Sequence, residues 1–493
     1  MNTPPYILTI DQGTTSSRAI IFSHDAHILC TKQKELKQHY PAPGWVEHDA
    51  NDIWQDTLYV TQEAIKQVGG ADKIAVIGIT NQRETTIVWN RQTGKPVHKA
   101  IVWQDRRTAD FCETLRDKGM EDMISSKTGL LIDPYFSASK IKWVLDNVAG
   151  TRELAARGDL AFGSVECFLL WKLTGGKSHI SDTTNASRTG LYNIIENKWD
   201  DALLAIYGIP RSILPEVLDN VADFGTTDPA VFGAAINIGG MAGDQSAALI
   251  GQCCFDKGMI KSTYGTGCFA LMNIGTDFKR SQNRLLTTPA YRMGGRTHYA
   301  IEGSIFMAGA IVQWLRDELG IITHAAQSED LATSIADNDD VYLLPAFTGL
   351  GAPHWQPQAR AAIVGLTRGS GKAHIARAAL EAQAYQTMDL LGAMEKDSGI
   401  RPQTLRVDGG LVANQFVCQF LADITRCTID VPQNTETTAL GACFLAGLYA
   451  GIYNDLDHIR QSWRADKSFS AHMNIDKRDG LYETWTGYIQ ALV

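Results

Sequence analysis

Two short apolar runs, residues 6–10 and 19–22, enclose the polar octet Asp11-Gln12-Gly13-Thr14-Thr15-Ser16-Ser17-Arg18. Runs of this length, bounded by turn residues, predict two buried strands joined as a hairpin. The layout returns at 259–272, where Ile260-Lys261-Ser262-Thr263-Tyr264 and Cys268-Phe269-Ala270-Leu271 flank Gly265-Thr266-Gly267. Between the two units, residues 74–80 and 85–89 predict further buried strands. Helical spacing over 50–68 puts Ile53, Trp54, Leu58, Ala64, Ile65 and Val68 on one side. The segment Leu405-Arg406-Val407-Asp408-Gly409-Gly410 ends a strand and precedes a helix over 412–424. The uncharged run 437–454, rich in Gly and Ala, predicts a buried helix rather than a membrane span, being of marginal spanning length.

A chain of 493 residues exceeds one ordinary core. The repeated unit predicts two α/β domains, residues 1–250 and 251–493, with their hairpins opposed across a cleft. A hydrophobic content of 44% with 20% charged residues is globular, and a net charge of -9 without clustered Lys and Arg argues against nucleic acid and anionic membranes as partners. The 9 cysteines are scattered and lack Cys-x-x-Cys spacing, which predicts reduced thiols filling a core rather than disulfides or zinc ligands. The first five residues lack the basic and apolar regions of a signal peptide, so a cytoplasmic location is expected.

The octet has the chemistry of a phosphate cradle: Gly13 for a tight turn, hydroxyls and N–H groups for phosphate oxygens, and Asp11 for magnesium or its waters. An ordinary polar hairpin fits the same residues equally. Gly309 and Gln313 are four apart, as are Gly410 and Asn414, so each pair would share a helical face able to receive a flat ring; glycines that merely permit close packing are the alternative. Other nucleotide motifs fail. Gly176-Lys177-Ser178 has Trp171 where a P-loop needs its first glycine, and Gly265-Thr266-Gly267 precedes a strand rather than a helix.

Five segments together, Asp11-Gln12-Gly13-Thr14-Thr15-Ser16, Gly78-Ile79-Thr80-Asn81-Gln82-Arg83-Glu84-Thr85-Thr86, Ala242-Gly243-Asp244-Gln245, Tyr264-Gly265-Thr266-Gly267-Cys268 and Asp408-Gly409-Gly410, resemble the glycerol-phosphorylating members of the FGGY carbohydrate kinase family. The resemblance implies two ribonuclease H-like domains of the actin and hexokinase superfamily, closing over Mg-ATP and a polyol, with glycerol and ATP giving sn-glycerol 3-phosphate and ADP. It implies Asp244 as general base, although an isolated Asp there would more often cap the following helix. It implies that Arg83, Glu84, Tyr135, Asp244 and Gln245 bind the hydroxyls, that Trp103 and Phe269 cover the carbon backbone, and that Asp11 and Asp244 face magnesium. Thr14, Thr15, Ser16 and Arg18 fall to the phosphates, Thr266 and Gly309 to the ADP side, and Gln313, Gly410 and Asn414 to purine and ribose.

The resemblance further implies a homodimer or homotetramer. Two controls known in the family are not expected. Phe232-Gly233-Ala234-Ala235-Ile236 lacks the arginine of a fructose 1,6-bisphosphate loop, and no histidine lies between Asp219 and Gly251 for phosphorylation. A kinase for another polyol or ketose, and an actin-like or chaperone-like ATPase, are the alternatives. Arg83-Glu84-Thr85-Thr86 and Trp103 oppose the first; substrate-independent hydrolysis would mark the second.

Overall fold

The computed structural model describes residues 5–356 and 358–492, so most of the N-terminal stretch read above lies outside them. Two sheets carry the chain. The strands of the first are β1 (Tyr6–Gln12), β2 (Ser16–Ser23), β3 (Ile28–Glu35), β4 (Ile74–Asn81) and β5 (Ile238–Gly243), in the order β5-β4-β1-β2-β3. The second holds β6 (Ile260–Tyr264), β7 (Cys268–Gly275), β8 (Leu286–Met293), β9 (Arg296–Ile305), β10 (Thr404–Asp408), β11 (Thr428–Pro432) and β12 (Ala465–Phe469), in the order β8-β9-β7-β6-β10-β11-β12. In both, a strand pairs antiparallel with its hairpin partner on one side and parallel with a later strand on the other. The repeat expected from the two hairpins is thus a repeat of topology.

Strand β1 is almost wholly buried because helices cover both faces of its sheet. Leu8 and Ile10 pack with Ile53, Val60 and Ala64 of α1 (Ala50–Gln67). Ile7, with Ile20, Phe22 and Val76, packs instead with Leu440, Cys443 and Phe444 of α4 (Thr437–Tyr449), a helix from the far end of the chain. The buried face of α1 is rotated from the expected one. It includes Asp56, Thr57 and Thr61, while Trp54, Leu58 and Val68 are half-buried. The Lys34 ammonium on β3 lies 2.5 Å from Asp56 and lets that carboxylate turn inward.

The run 437–454 is the buried helix expected, ending at Tyr449. Helix α4 also crosses α2 (Asp244–Gly251), which leaves the end of β5, and there the two backbones touch. A Cβ on Gly251 would lie 1.9 Å from the Thr437 carbonyl oxygen, and one on Gly441 would lie 1.8 Å from that of Ala247. Two other expectations shift. The strand after residue 81 begins at Ile87, not at 85, because a tight bend occupies residues 83–85. The helix expected over 412–424 is a turn of 3-10 helix, Gly410–Ala413, followed by α3 (Gln415–Thr425), with Asn414 as its N-cap accepting from the Val417 N–H at 3.1 Å.

Residues 82–237 form an insertion between β4 and β5 that docks on β8 and β9. The Thr287 N–H donates to the Gly129 carbonyl at 2.9 Å, and the Tyr299 hydroxyl donates to that of Ile194 at 2.9 Å. One wall of the space between the sheets is therefore closed by the first half of the chain gripping the second. All nine cysteines are buried free thiols, as expected of core fillers. Among the described residues no helix is long and apolar enough to cross a membrane.

Because a methyl on Gly441 meets backbone rather than a flexible side chain, Gly441→Ala is expected to lower stability in urea unfolding by ~1–3 kcal/mol. Gly392→Ala, where nothing lies within 4 Å, is expected to raise it by up to about 1 kcal/mol through helix propensity.

Candidate active site

The carboxyl ends of the first sheet's strands finish in register: Gln12 pairs with Asn81, and Asn81 with Gly243. The β1–β2 turn, the segment Gln82-Arg83-Glu84-Thr85 and Asp244 therefore leave one edge together, where open α/β sheets bind ligands. The second sheet supplies Phe269 and Glu302 through the antiparallel register that pairs Leu271 with Glu302.

At the centre lies a cluster of four charges withdrawn from water. The Arg83 guanidinium forks onto Glu302, with Nη1 to Oε2 at 2.7 Å and Nη2 to Oε1 at 3.0 Å. Arg188 bridges the two carboxylates, with Nε to Glu84 Oε1 at 2.6 Å and Nη2 to Glu302 Oε1 at 3.0 Å. No side chain of the four is more than 2% exposed. Burial opposes charge on Glu302, but Arg188 and Arg83 outweigh it and hold its pKa down to about 2. On Glu84 burial outweighs the same arginines and the pKa rises. Glu84 also has φ +60°, a left-handed conformation that costs a non-glycine residue ~1–3 kcal/mol. Its carbonyl accepts from Ser137 Oγ at 3.0 Å and its carboxylate is held by Arg188, so tertiary contacts enforce the bend.

Asp244 sits beside this cluster, with Oδ1 3.1 Å from Arg83 Nε and accepting from the Gln245 N–H at 2.7 Å. Its side chain is 33% exposed in a recess walled by protein. Burial raises its pKa against the pull of Arg83 and Lys261. The glycine before it is required, since a Cβ on Gly243 would meet Arg83 Cγ at 2.6 Å. Lys261, fully buried, donates to Gln245 Oε1 and to Thr263 Oγ1. The Gln245 amide nitrogen is thereby left as the group free to face a ligand.

Three aromatic rings adjoin this recess. Trp103 stands edge-on to Tyr135 at 5.6 Å and to Phe269 of the other half at 6.4 Å. The Tyr135 pKa is pushed up by burial, so its phenol stays neutral. Trp103 Nε1 donates to Thr14 Oγ1 at 2.9 Å, joining this wall to the first hairpin.

On that hairpin the Gly13 N–H closes the turn onto the Ser16 carbonyl at 2.9 Å, and Gly13 does not use a positive φ. Thr14 is half-buried, Thr15 is exposed, and Ser16 already belongs to β2. Arg18 pairs with Asp11 and, at 2.5 Å, with Glu436 at the start of α4. On the second hairpin the Gly309 N–H donates to the Gly265 carbonyl at 2.8 Å and the Ala310 N–H to that of Thr266 at 3.1 Å. Gly309 thus serves a close backbone approach, while Thr266 and Gln313 are exposed. Gly410 has nothing within 4 Å of a would-be Cβ; because it precedes α3, it does not share a helical face with Asn414 as expected.

Among the described residues no three His, Cys, Asp or Glu side chains converge on a metal position. A magnesium ion that keeps waters and takes its other ligands from phosphates needs only one or two carboxylates; Asp244, after β5, would offer one, and Asp11, on β1, another on the far side of its pair with Arg18. Arg188, Glu302 and Lys261 escaped the sequence reading. Each stands in an apolar or polar run that reads as strand or turn, and the one available signal was charge inside a predicted buried strand, at Lys261.

Removing Arg188 leaves Glu84 buried without its nearest cation, so Arg188→Met is expected to cost ~3–5 kcal/mol in urea unfolding. The depressed Glu302 pKa makes its contribution full above about pH 4.5 and lost as pH falls toward about 2. Glu302→Gln should therefore flatten that part of the acid limb of stability.

Residues 6–251 match the N-terminal domain, and residues 260–450 the C-terminal domain, of the FGGY family of carbohydrate kinases. The chain is 59% identical to a glycerol kinase of Nitrosomonas eutropha, over 100% of this chain and 99% of that protein. It is 57% identical to glycerol kinase 1 of Pseudomonas aeruginosa, with 98% of each covered. The fold superposes on the crystal structure of Plasmodium falciparum glycerol kinase with ADP at a TM-score of 0.94 and 36% identity, covering 99% and 98% of the two chains. A xylulose kinase from Lactobacillus acidophilus shares the fold alone, at a TM-score of 0.89 and 24% identity over 99% and 97%. With both of its domains matched in order around this cleft, the chain belongs to the FGGY family of carbohydrate kinases.

Proposed function

We propose that the chain transfers the terminal phosphoryl group of ATP to a primary hydroxyl of glycerol, giving sn-glycerol 3-phosphate and ADP. The observation that carries the reading is the contact of Asp244 with Arg83 beside an aromatic wall that ends on the Thr14 hydroxyl. It supports the reading because a carboxylate, a cation and a hydroxyl-bearing turn are what a phosphoryl transfer to an alcohol needs close together. The named glycerol kinases, similar over the whole chain, support glycerol over the ketoses handled by more distant relatives of the same fold.

In this reading Asp244 is the general base. A carboxylate is far weaker than an alkoxide, so it takes the proton late, as the bond to phosphorus acidifies the hydroxyl. Arg83 and Glu84 hold hydroxyls as donor and acceptor, Tyr135 and Gln245 add directional contacts, and Trp103 with Phe269 limits chain length. Thr14, Thr15, Ser16 and Arg18 receive phosphates, Thr266 and Gly309 the ADP side, and Gln313, Gly410 and Asn414 the nucleoside. Magnesium brought in with ATP, facing Asp11 and Asp244, supplies charge neutralisation to the triphosphate. Closing the cleft would keep water from the terminal phosphate.

A coupled ADP-release assay tests the reading. Turnover is expected with glycerol, with little on xylulose or without acceptor; stimulation by xylulose alone would overturn the substrate. Asp244→Asn should reduce turnover by at least about 100-fold, the usual scale for general-base removal, with nucleotide affinity nearly unchanged. Arg83→Ala should chiefly raise the glycerol KM. Because the base must be deprotonated and its pKa is raised, kcat/KM for glycerol should fall with decreasing pH above the ordinary aspartate range.

A further inference from the structure

A closed ring of hydrogen bonds runs behind the site. Trp103 donates through its indole N–H to Thr14 Oγ1 at 2.9 Å, and through its backbone N–H to Thr85 Oγ1 at 3.3 Å. The Thr85 hydroxyl donates to Gln82 Oε1 at 2.9 Å. The Gln82 amide returns to the hairpin, donating to Gln12 Oε1 at 3.0 Å and to the Gly13 carbonyl at 3.2 Å. Gln12, Gln82 and Thr85 are no more than 1% exposed. The ring spans the bend that carries Arg83 and Glu84 and links the aromatic wall to the first hairpin turn.

Each orientation in the ring is forced. An indole nitrogen only donates, so Thr14 Oγ1 must be the acceptor, and the Thr14 proton points elsewhere. That hydroxyl donates to no protein group among the described residues. Thr14 itself is half-buried at the mouth of the turn.

Resting on the reading above, we propose that Trp103 has a second role besides covering the acceptor's carbons: it is a positioning residue whose indole N–H fixes the Thr14 hydroxyl as a donor toward the nucleotide's phosphate oxygens. Thr85 and Gln82 hold the Trp103 backbone and the turn in the register this needs. One ring thus serves an apolar contact on one substrate and a polar contact on the other.

Trp103→Phe separates the two, since it keeps an aromatic wall and deletes the N–H. The test is calorimetric binding of Mg-AMP-PNP to the full chain, combined with the glycerol KM. Trp103→Phe and Thr14→Val are each expected to weaken AMP-PNP by about fivefold, the usual worth of one net hydrogen bond. The double variant should be no weaker than the weaker single one, and Thr14→Ser should keep the AMP-PNP affinity that Thr14→Val loses. Multiplying losses in the double variant, unchanged AMP-PNP affinity in Trp103→Phe, or an effect on glycerol alone would overturn the proposal. Should Trp103→Phe not fold, the Trp103 indole N–H resonance is expected to move in Thr14→Val and stay in Thr14→Ser; a resonance that ignores both overturns it. AMP-PNP binding needs no turnover, so a chain with a different acceptor would fail the ADP-release assay and still pass this one.

Discussion

Two arginines and two glutamates cannot share a dry interior unless each is met by an opposite charge in good geometry, because stripping water from an ion costs several kcal/mol. Arg83, Glu84, Arg188 and Glu302 satisfy that condition only jointly. They come from the bend after β4, from the insertion and from β9, so the cluster forms only when the insertion is docked on the second sheet. The charge balance also leaves Arg83 with Nε for Asp244, outside the fork that holds Glu302. A guanidinium pinned by the Glu302 carboxylate on its two outer nitrogens holds Asp244 in a fixed place through the third.

Around that fixed centre the two halves contribute unlike things. The first gives the carboxylates Asp11 and Asp244, the hydroxyl-rich turn and two of the three aromatic rings. The second gives Phe269, the Thr266 turn and the open backbone at Gly410. Sheet register sets the strand-end groups side by side, whereas Trp103 and Tyr135 are carried in by the insertion. The crossing of α2 and α4 at Gly251 and Gly441 then joins the halves by close backbone contact.

What the sequence made legible follows the physics of short range. The hairpins, α1 and the buried helix at 437 are local patterns of apolar spacing, and they stand where expected. The strand expected from residue 85 begins two residues late because the bend at Glu84 runs on through Thr85, and a left-handed glutamate has no local preference that would announce it; tertiary contacts from Ser137 and Arg188 impose it. The inward turn of Asp56 depends on Lys34, far off in the chain. Asn414 was read as lying inside a helix, although its side chain suits a cap, because the 3-10 turn before it continues the helical spacing. Arg188 and Glu302 carried no local signal at all. Their meaning lies wholly in partners more than a hundred residues away.

Helix α4 covers one face of a sheet whose last strand ends at Gly243, although the helix itself ends at Tyr449. During synthesis on the ribosome the N-terminal half therefore emerges with Ile7, Ile20, Phe22 and Val76 lacking their cover. At roughly 5–20 residues per second the missing helix follows on the order of 10–40 s later. Translation hands this fold over incomplete, with one apolar sheet face open to water until the last eighth of the chain arrives.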